Sequence, residues 1–223
     1  MNDVELSAAL GLRERKKQET RQLIADTARR LFAERSFDAV TVAEVARAAN
    51  VSEKTVFNYF PTKEDLVYSR LEAFEDELLA AIREREPGET VLSAFRDFLF
   101  QPRGVFALGE SDDGAATGQI QTISRMITES PALLARERLV FARYTESLAA
   151  LIAAETGAGP DDVEPRAVAG AILAVHRALI DYVRRRTIAG ASVRAIARGV
   201  RAEGERALKV LQQGLGEYLP KAG

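Results

Sequence analysis

The run TVAEVARAANVSEKTVFNYFPTKEDL, residues 41–66, decides the fold because it contains two helix starts and a tight turn in one short stretch. Thr41 and Glu44 are spaced as in a capping box, where the threonine hydroxyl caps the first turn and the glutamate side chain reaches back. This spacing predicts a short helix over residues 42–49. Its small apolar residues would let a second helix approach closely.

The turn after this helix is marked by two residues. Asn50 is among the few residues other than glycine that tolerate a positive φ, and Ser52 is a strong N-cap. We therefore predict a second helix over residues 53–60, and two short helices joined by such a turn form a helix-turn-helix. The side chains predicted to face inward from the second helix are Val56, Phe57 and Phe60.

Polar side chains of the second helix and the following turn have the chemistry needed to bind DNA. Lys54 and Lys63 offer positive charge, the hydroxyls of Thr55 and Tyr59 can donate to phosphate oxygens, and Asn58 can pair with a base edge. The first amides of the helix can also bind phosphate. The alternative interpretation is a solvated polar face on a small helical subdomain, since a helix-turn-helix alone is common.

A longer helix precedes this motif, and the surrounding charge is basic. Residues 19–37 carry an apolar stripe of helical period. Residues 13–63 hold eleven basic and seven acidic residues, a net charge of +4, whereas the chain from residue 64 onward carries −4. This asymmetry favours nucleic acid as a partner of the N-terminal part. The predicted stripe consists of Leu23, Ile24, Thr27, Ala28, Leu31 and Phe32.

Composition excludes several classes of function. The 223 residues include no cysteine and a single histidine, His176, which excludes disulfides, thiol nucleophiles and Cys/His zinc sites. No phosphate loop or nucleophile constellation is present, so we expect no enzyme, no metal and no cofactor. The N-terminus lacks a basic export signal, and the longest apolar run, residues 167–175, is too short to span a membrane. A cytoplasmic protein without a membrane segment is expected.

The N-terminal third of the chain resembles the DNA-binding domain of the TetR family of bacterial transcriptional regulators. The resemblance implies an all-α fold, with a three-helix DNA-binding domain and a basic arm over residues 1–65 and a ligand-binding and dimerisation domain over residues 66–223. The positions that match the family pattern in order and spacing are Arg21, Ile24, Ala28, Leu31, Phe32, Thr41, Val45, Ala46, Ala49, Val51, Ser52, Tyr59, Phe60, Lys63 and Leu66.

The resemblance also implies which residues contact DNA. Lys54, Thr55 and Asn58 would lie on the recognition helix. Tyr59 and Lys63 would hold phosphate, and Thr41 and Arg47 would flank the DNA backbone from the preceding helix. The basic residues 13–17 would follow the phosphates or a minor groove as a flexible arm, although a solvated terminus is the alternative. The seven carried-over residues are, in that order, Lys54, Thr55, Asn58, Tyr59, Lys63, Thr41 and Arg47.

The sequence departs from the family pattern at several positions. Ser36 and Asn50 stand where glycine is usual, and Phe57 stands where the family often has tyrosine, which removes a hydroxyl that could bind phosphate. Glu53 places a negative charge at the start of the recognition helix, where it accepts from a cytosine amine or complements the helix dipole. These departures bear on the operator sequence.

Residues 61–86 are predicted to form one amphipathic helix, followed by five more helices over residues 90–100, 117–128, 131–155, 163–188 and 193–215. Aromatic and apolar residues of these helices are candidates for lining a ligand site, with ordinary core packing as the alternative for each. These candidates are Phe95, Phe98, Met126, Phe141, Tyr144 and His176.

The last two helices have the features of a dimer interface. Four alanines of the first, residues 167, 171, 174 and 178, form a small-residue seam, and the second has a long apolar face over residues 193–215. Either helix can instead pack within the monomer. A two-fold, four-helix homodimer would place two reading heads on the half-sites of a double-stranded operator.

Taken with the resemblance, these features predict a homodimeric, sequence-specific DNA-binding regulator. The expected activity is that of a repressor released from its operator by an unidentified small-molecule effector, through reciprocal coupling of the two binding events. The alternative is a protein with constitutive DNA affinity, or a helical ligand carrier, without ligand-controlled release.

Overall fold

The computed structural model of the protein describes residues 3–69, 71–101 and 114–214. Every regular element in these residues is an α-helix, which confirms the all-α prediction. The helices are α1 (Asp3–Arg35), α2 (Val42–Ala48), α3 (Glu53–Tyr59), α4 (Lys63–Val67), α5 (Leu71–Arg83), α6 (Val91–Leu99), α7 (Gly114–Glu129), α8 (Pro131–Thr156), α9 (Glu164–Ile188) and α10 (Val193–Gln213).

The described residues form two compact units. The first contains the described residues up to 69 together with residues 129–136, and the second contains residues 71–101, 114–128 and 137–214. In the first unit α1 packs against α2 and α4, and α2 packs against α3. Apolar side chains from all four helices and their connections form its core. The core includes Ile24, Ala28, Phe32, Phe37, Val40, Val45, Val56, Phe60 and Leu66.

The local signals in residues 41–60 are confirmed. Thr41 caps α2 in a complete capping box with Glu44, and the Ser52 side chain accepts from the backbone N–H of Thr55 at 3.0 Å. Asn50 has φ 55°, the left-handed conformation that the tight turn requires. Ser36 also adopts positive φ, 71°, directly after α1. Both positions where the family pattern has glycine therefore use a conformation that glycine adopts without strain.

The prediction of a flexible basic arm was wrong, because residues 13–17 are helical and exposed within α1. Ion pairs one turn apart support the helix there, Arg15 with Glu19 at 3.6 Å and Lys17 with Glu14 at 3.9 Å. These pairs are exposed and contribute only tenths of a kcal/mol each.

The predicted apolar stripe of α1 was wrong at one position. Leu23 is 51% exposed, whereas Ala25, which was not included, is buried. Ile24, Ala28 and Phe32 recur every four residues and define the face that packs against α2 and α4. Leu23 lies about 100° away from Ile24 around the helix axis, on the outer edge of that face.

The prediction of one continuous helix over residues 61–86 was also wrong, since α4 ends at Val67 and α5 begins at Leu71. Tyr68 leaves helical geometry with φ −94° and ψ 17°, and its hydroxyl donates to the backbone oxygen of Leu133 at 2.9 Å. The guanidinium of Arg21 donates to the backbone oxygen of Ser69 at 3.1 Å. Long-range hydrogen bonds therefore hold the break in place.

The second unit is a helical core built from α5, α6, α8, α9 and α10. Each of the five helices predicted after residue 86 has a counterpart within about one turn, and the predicted end at Leu215 lies outside the described residues. Ion pairs join these helices: Arg184 Nη2 lies 2.6 Å from Glu137 Oε1, and Arg143 Nε lies 2.8 Å from Glu75 Oε2. In the described part of the chain, no helix has the length and apolarity to cross a bilayer.

Candidate functional sites

The recognition-helix candidate, α3, is fixed by its inner face and exposes its outer face. Val56 and Phe60 are buried one turn apart and set the rotation of the helix. The prediction that Phe57 also faces inward was wrong, since its ring is 46% exposed. Phe57 lies about 100° from Val56 around the helix axis, outside the narrow face that α3 buries. The other exposed side chains of α3 are Glu53, Lys54 and Asn58, and those of Thr55 and Tyr59 are half-buried.

Two of the predicted DNA contacts on α3 share one face. Lys54 and Asn58 are four residues apart, so their side chains lie one above the other on the exposed surface. The hydroxyl of Thr55 is 2.8 Å from that of Ser52, which makes it part of the helix cap. Lys54 forms no ion pair with any residue in the described ranges, and the residue is exposed.

The two other predicted DNA contacts, Thr41 and Arg47, lie at the two ends of α2. The Thr41 hydroxyl donates to Glu44 Oε2 at 2.9 Å and accepts from the Glu44 backbone N–H at 3.2 Å. The Thr41 backbone N–H and then the Arg35 guanidinium lower the pKa of the Glu44 carboxyl from 4.5 to about 2. Arg47 lies exposed in the last turn of α2, and nothing in the described residues forms an ion pair with it.

Lys63 is held by aromatic rings at the start of α4. Its ammonium lies 4.2 Å from the ring centroid of Phe37 and 5.9 Å from that of Phe32, a cation–π arrangement. The side chain is half-buried behind a second capping box, formed by Thr62 and Asp65. The Thr62–Asp65 spacing is the signal of this cap in the sequence, and it agrees with a helix that begins after Pro61.

An aromatic cluster lies in the second unit, consisting of Phe74, Phe98, Phe141, Tyr144 and His176. Phe74 is its centre: its ring stacks on His176 at 4.4 Å and on Tyr144 at 5.7 Å, and meets Phe98 edge-on at 5.3 Å. Phe141 lies 5.6 Å from His176 and 5.8 Å from Tyr144. Side chains of α5, α6, α8 and α9 thus converge at this point.

His176 is the chemically distinctive member of the aromatic cluster. Its side chain is 4% exposed, and its buried Nδ1 atom has no hydrogen-bond partner. Burial lowers the pKa of the imidazole from 6.5 to about 4, so the ring is neutral at pH 7. A buried polar atom without a partner costs about 1–3 kcal/mol. A bound molecule that offers Nδ1 a hydrogen bond would recover part of that free energy.

The structure brings together four of the six predicted ligand residues, Phe98, Phe141, Tyr144 and His176, in the aromatic cluster. Phe95 is buried in the same core, and Met126 is half-buried on α7, outside the described members of that core. Sequence reasoning missed Phe74, which lies within the amphipathic helix predicted over residues 61–86 and was not assigned to a site. A search of the described residues finds no cluster of acidic or histidine side chains able to hold a metal ion.

Two family models match the chain. The model described as bacterial regulatory proteins of the tetR family matches residues 24–68, which include the whole helix-turn-helix. The model described as the MftR C-terminal domain matches residues 110–215. The two matches fall on different parts of the sequence.

Relatives of the chain are named as regulators of transcription and not as enzymes. TcmR of Streptomyces glaucescens is 31% identical over 170 residues, covering 75% of this chain and 74% of that protein. MftR of Mycobacterium tuberculosis is 27% identical over 168 residues, covering 72% and 78%. Among solved structures, Salmonella enterica GusR is 21% identical, with a TM-score of 0.46 over 86% of this chain and 96% of that one. The chain belongs to the TetR family of DNA-binding transcriptional regulators.

Proposed function

We propose that the protein is a homodimeric repressor that a small-molecule effector releases from its DNA operator. The observation that carries the effector part of this proposal is the unpartnered Nδ1 of His176 inside the aromatic cluster. A free protein tolerates such an atom at a cost, and a ligand that pairs with it gains affinity. Release follows if the effector binds more tightly to the dimer conformation that does not fit DNA.

Residues 1–65 are the proposed DNA-binding domain, with α3 in the major groove. Lys54, Thr55 and Asn58 face the bases and adjacent phosphates, and Tyr59 and Lys63 hold phosphate. Thr41 and Arg47 contact the DNA backbone from α2. The exposure of Lys54, Asn58 and Arg47, without competing ion pairs in the described residues, supports these roles. The Thr55 hydroxyl is engaged in the helix cap, and the Lys63 ammonium lies over the ring of Phe37. To contact DNA, these two side chains either change conformation or use hydrogens that those contacts leave free.

Residues 66–223 are the proposed effector-binding and dimerisation domain. We assign the effector site to the aromatic cluster and keep Phe95, which is buried in the same core, and Met126 as further candidate contacts. Aromatic and apolar side chains around one neutral imidazole favour binding of an apolar or aromatic molecule that bears a hydroxyl or carbonyl group, and disfavour binding of an ion.

The proposed dimer interface lies on the last two helices. The four seam alanines of α9, residues 167, 171, 174 and 178, are all exposed, which leaves a smooth helix face available to a second copy. On α10, Val193, Ile196 and Val200 of the predicted apolar face are buried within the chain itself, whereas Ala207 and Leu211 are half-buried. We therefore assign the inter-subunit contact mainly to the α9 seam and to the outer side of α10.

The proposal is tested first by DNA binding. Purified protein is titrated onto the DNA upstream of its own coding sequence and onto a scrambled duplex, at two salt concentrations, by fluorescence anisotropy. We expect strong preference for the upstream DNA with a stoichiometry of one or two dimers per site. Equal, salt-sensitive binding to both duplexes would instead favour a protein with constitutive DNA affinity.

Variants and a ligand screen complete the test. Replacing Tyr59 or Lys63 by alanine is expected to weaken binding similarly on every sequence, whereas Asn58→Ala changes preference at one base pair. A library of apolar hydroxylated molecules is then screened for release of wild-type protein and of a His176→Leu variant. Release of both proteins alike would move the effector site away from His176, and binding without release by any member would favour the ligand-carrier alternative.

A further inference from the structure

Phe57 has an unexpected environment on α3. In the described residues it is the only aromatic side chain among the exposed large hydrophobic ones. Isolated exposed apolar residues are ordinary on a protein surface. This one differs because it lies on the helix face that the proposed function turns toward DNA, between residues of strongly polar character.

The geometry of α3 places Phe57 among the outward side chains. Glu53 and Lys54 precede it by one helical turn and lie on the same side, and Asn58 is its neighbour in the chain. The buried Val56 and Phe60 define the adjoining face, and Phe57 lies at its edge, about 100° from Val56, so a rotation that would bury Phe57 would move those two residues out of the core. The ring is therefore fixed outward by the packing of the helix.

A phenyl ring has no hydrogen-bond donor, and it therefore cannot bind a phosphate oxygen as a tyrosine hydroxyl would. In the major groove the apolar group on a base edge is the 5-methyl group of thymine, and phenylalanine is among the residues that contact it. We propose that Phe57 is a specificity-determining residue that contacts the 5-methyl group of one thymine in each operator half-site. This inference rests on the proposed placement of α3 in the major groove.

Deoxyuridine tests the inference because it lacks the methyl group of thymine and keeps the same pairing edge. After the operator is identified by selection from random duplexes, each thymine is replaced singly by deoxyuridine and binding is measured. Burial of one methyl group is expected to change affinity about fourfold per half-site. Wild-type protein should therefore lose about fourfold at one thymine position and remain unchanged at positions outside the contact.

Three variants separate the ring from its surroundings. Phe57→Ala should bind the thymine and deoxyuridine operators equally, and Phe57→Tyr should keep the wild-type discrimination because it keeps the ring. Leu23→Ala, at an exposed apolar residue of α1, is the matched control and should also behave as wild type. Circular dichroism confirms that each variant is folded.

The outcomes distinguish this inference from the proposed function. If wild-type protein selects an operator but binds every deoxyuridine duplex as tightly as the thymine one, Phe57 does not contact a methyl group and the inference is overturned. It is also overturned if Phe57→Ala still discriminates thymine from deoxyuridine. Failure to select any operator would refute the specific-repressor proposal itself.

Discussion

His176 is the only histidine in the chain, and it is buried against the ring of Phe74, where burial lowers its pKa from 6.5 to about 4. Between these two pH values the unfolded chain binds a proton that the folded protein does not bind. Stability therefore falls as pH falls from about 6.5 to 4 and levels off below. The lowered pKa corresponds to a loss of about 3 kcal/mol over this interval.

This pH dependence is measurable because no other imidazole is present. Urea unfolding of wild-type protein and of His176→Leu is measured at several pH values. The difference between the free energies of unfolding of the two proteins should change between pH 6.5 and 4. Carboxylates titrate in both proteins and cancel in the difference. An NMR titration of the single imidazole provides the direct check, and an imidazole pKa near 6.5 would contradict the burial argument.

Thr41 stabilises α2 through its capping box. Thr41→Ala is expected to lower the free energy of unfolding by about 1 kcal/mol, since it removes the acceptor of the Glu44 backbone N–H. Thr41→Ser keeps the hydroxyl and should retain most of the stability, which makes it the matched control. Thermal unfolding measures both, and equal loss in the two variants would show that the methyl group and not the hydroxyl is responsible.

The Glu44 carboxylate of the same capping box also makes the free energy of unfolding depend on pH, and its contribution, like that of His176, decreases as pH falls. Because the folded pKa of Glu44 is about 2 and its ordinary value is 4.5, its stabilisation is complete above about pH 4.5 and is lost as pH falls toward 2.

Single residues were predictable where their structural role is local. The cap at Thr41 and the positive φ of Asn50 depend on neighbours within three residues, and both were correct. The predictions that Leu23 and Phe57 face inward were wrong because both residues lie at the edge of an apolar helix face. The partner helices decide which edge of such a face is covered. The unpartnered Nδ1 of His176 was not predictable, since it depends on side chains of other helices, among them Phe74 and Phe141.

At the scale of helices, the close packing of α10 against α9 and the end of α6 depends on Gly204. A Cβ atom on Gly204 would lie 2.8 Å from Phe100 Cζ and 3.2 Å from Leu179 Cδ1. Gly204→Ala is therefore expected to lower the free energy of unfolding by about 1–3 kcal/mol through overpacking. Helix propensity alone would predict the opposite, a gain of about 1 kcal/mol.

Gly118 on α7 is the control for this prediction, because a Cβ atom there meets nothing within 4 Å. Gly118→Ala should raise stability by up to about 1 kcal/mol in the same urea unfolding experiment. If Gly204→Ala is as stable as Gly118→Ala, the rings beside Gly204 move aside at little cost and the packing argument fails.

Helices themselves were predictable from periodicity, and their junctions were not. Five helices follow residue 86 at the expected places. The break between α4 and α5 was missed because the apolar period continues across it. The hydrogen bonds at this break join Tyr68 to Leu133, 65 residues later, and Arg21 to Ser69, and no local pattern encodes such contacts.

For the whole molecule, the division of charge and the proposed dimer act together. The N-terminal part carries the excess of basic residues, so we expect each subunit of the proposed dimer to bind DNA phosphates only weakly through one DNA-binding domain. Joining two heads makes the second contact intramolecular and raises affinity by about 10²–10⁴-fold without new contacts on either half-site. Loss of the dimer should therefore cost far more DNA affinity than loss of any single phosphate contact.

Ala174→Glu tests this coupling because Ala174 is exposed in the middle of the α9 seam. Two carboxylates facing each other across a two-fold, closely packed interface would be buried and would repel, so the variant should be monomeric at micromolar concentration. Its operator affinity should fall about 100-fold or more, while its circular dichroism stays unchanged. Ala150→Glu, at an exposed alanine of α8, introduces the same charge elsewhere and should remain dimeric with wild-type affinity. Sedimentation velocity decides the assembly state, and a stable Ala174→Glu dimer would place the interface on another face of the chain.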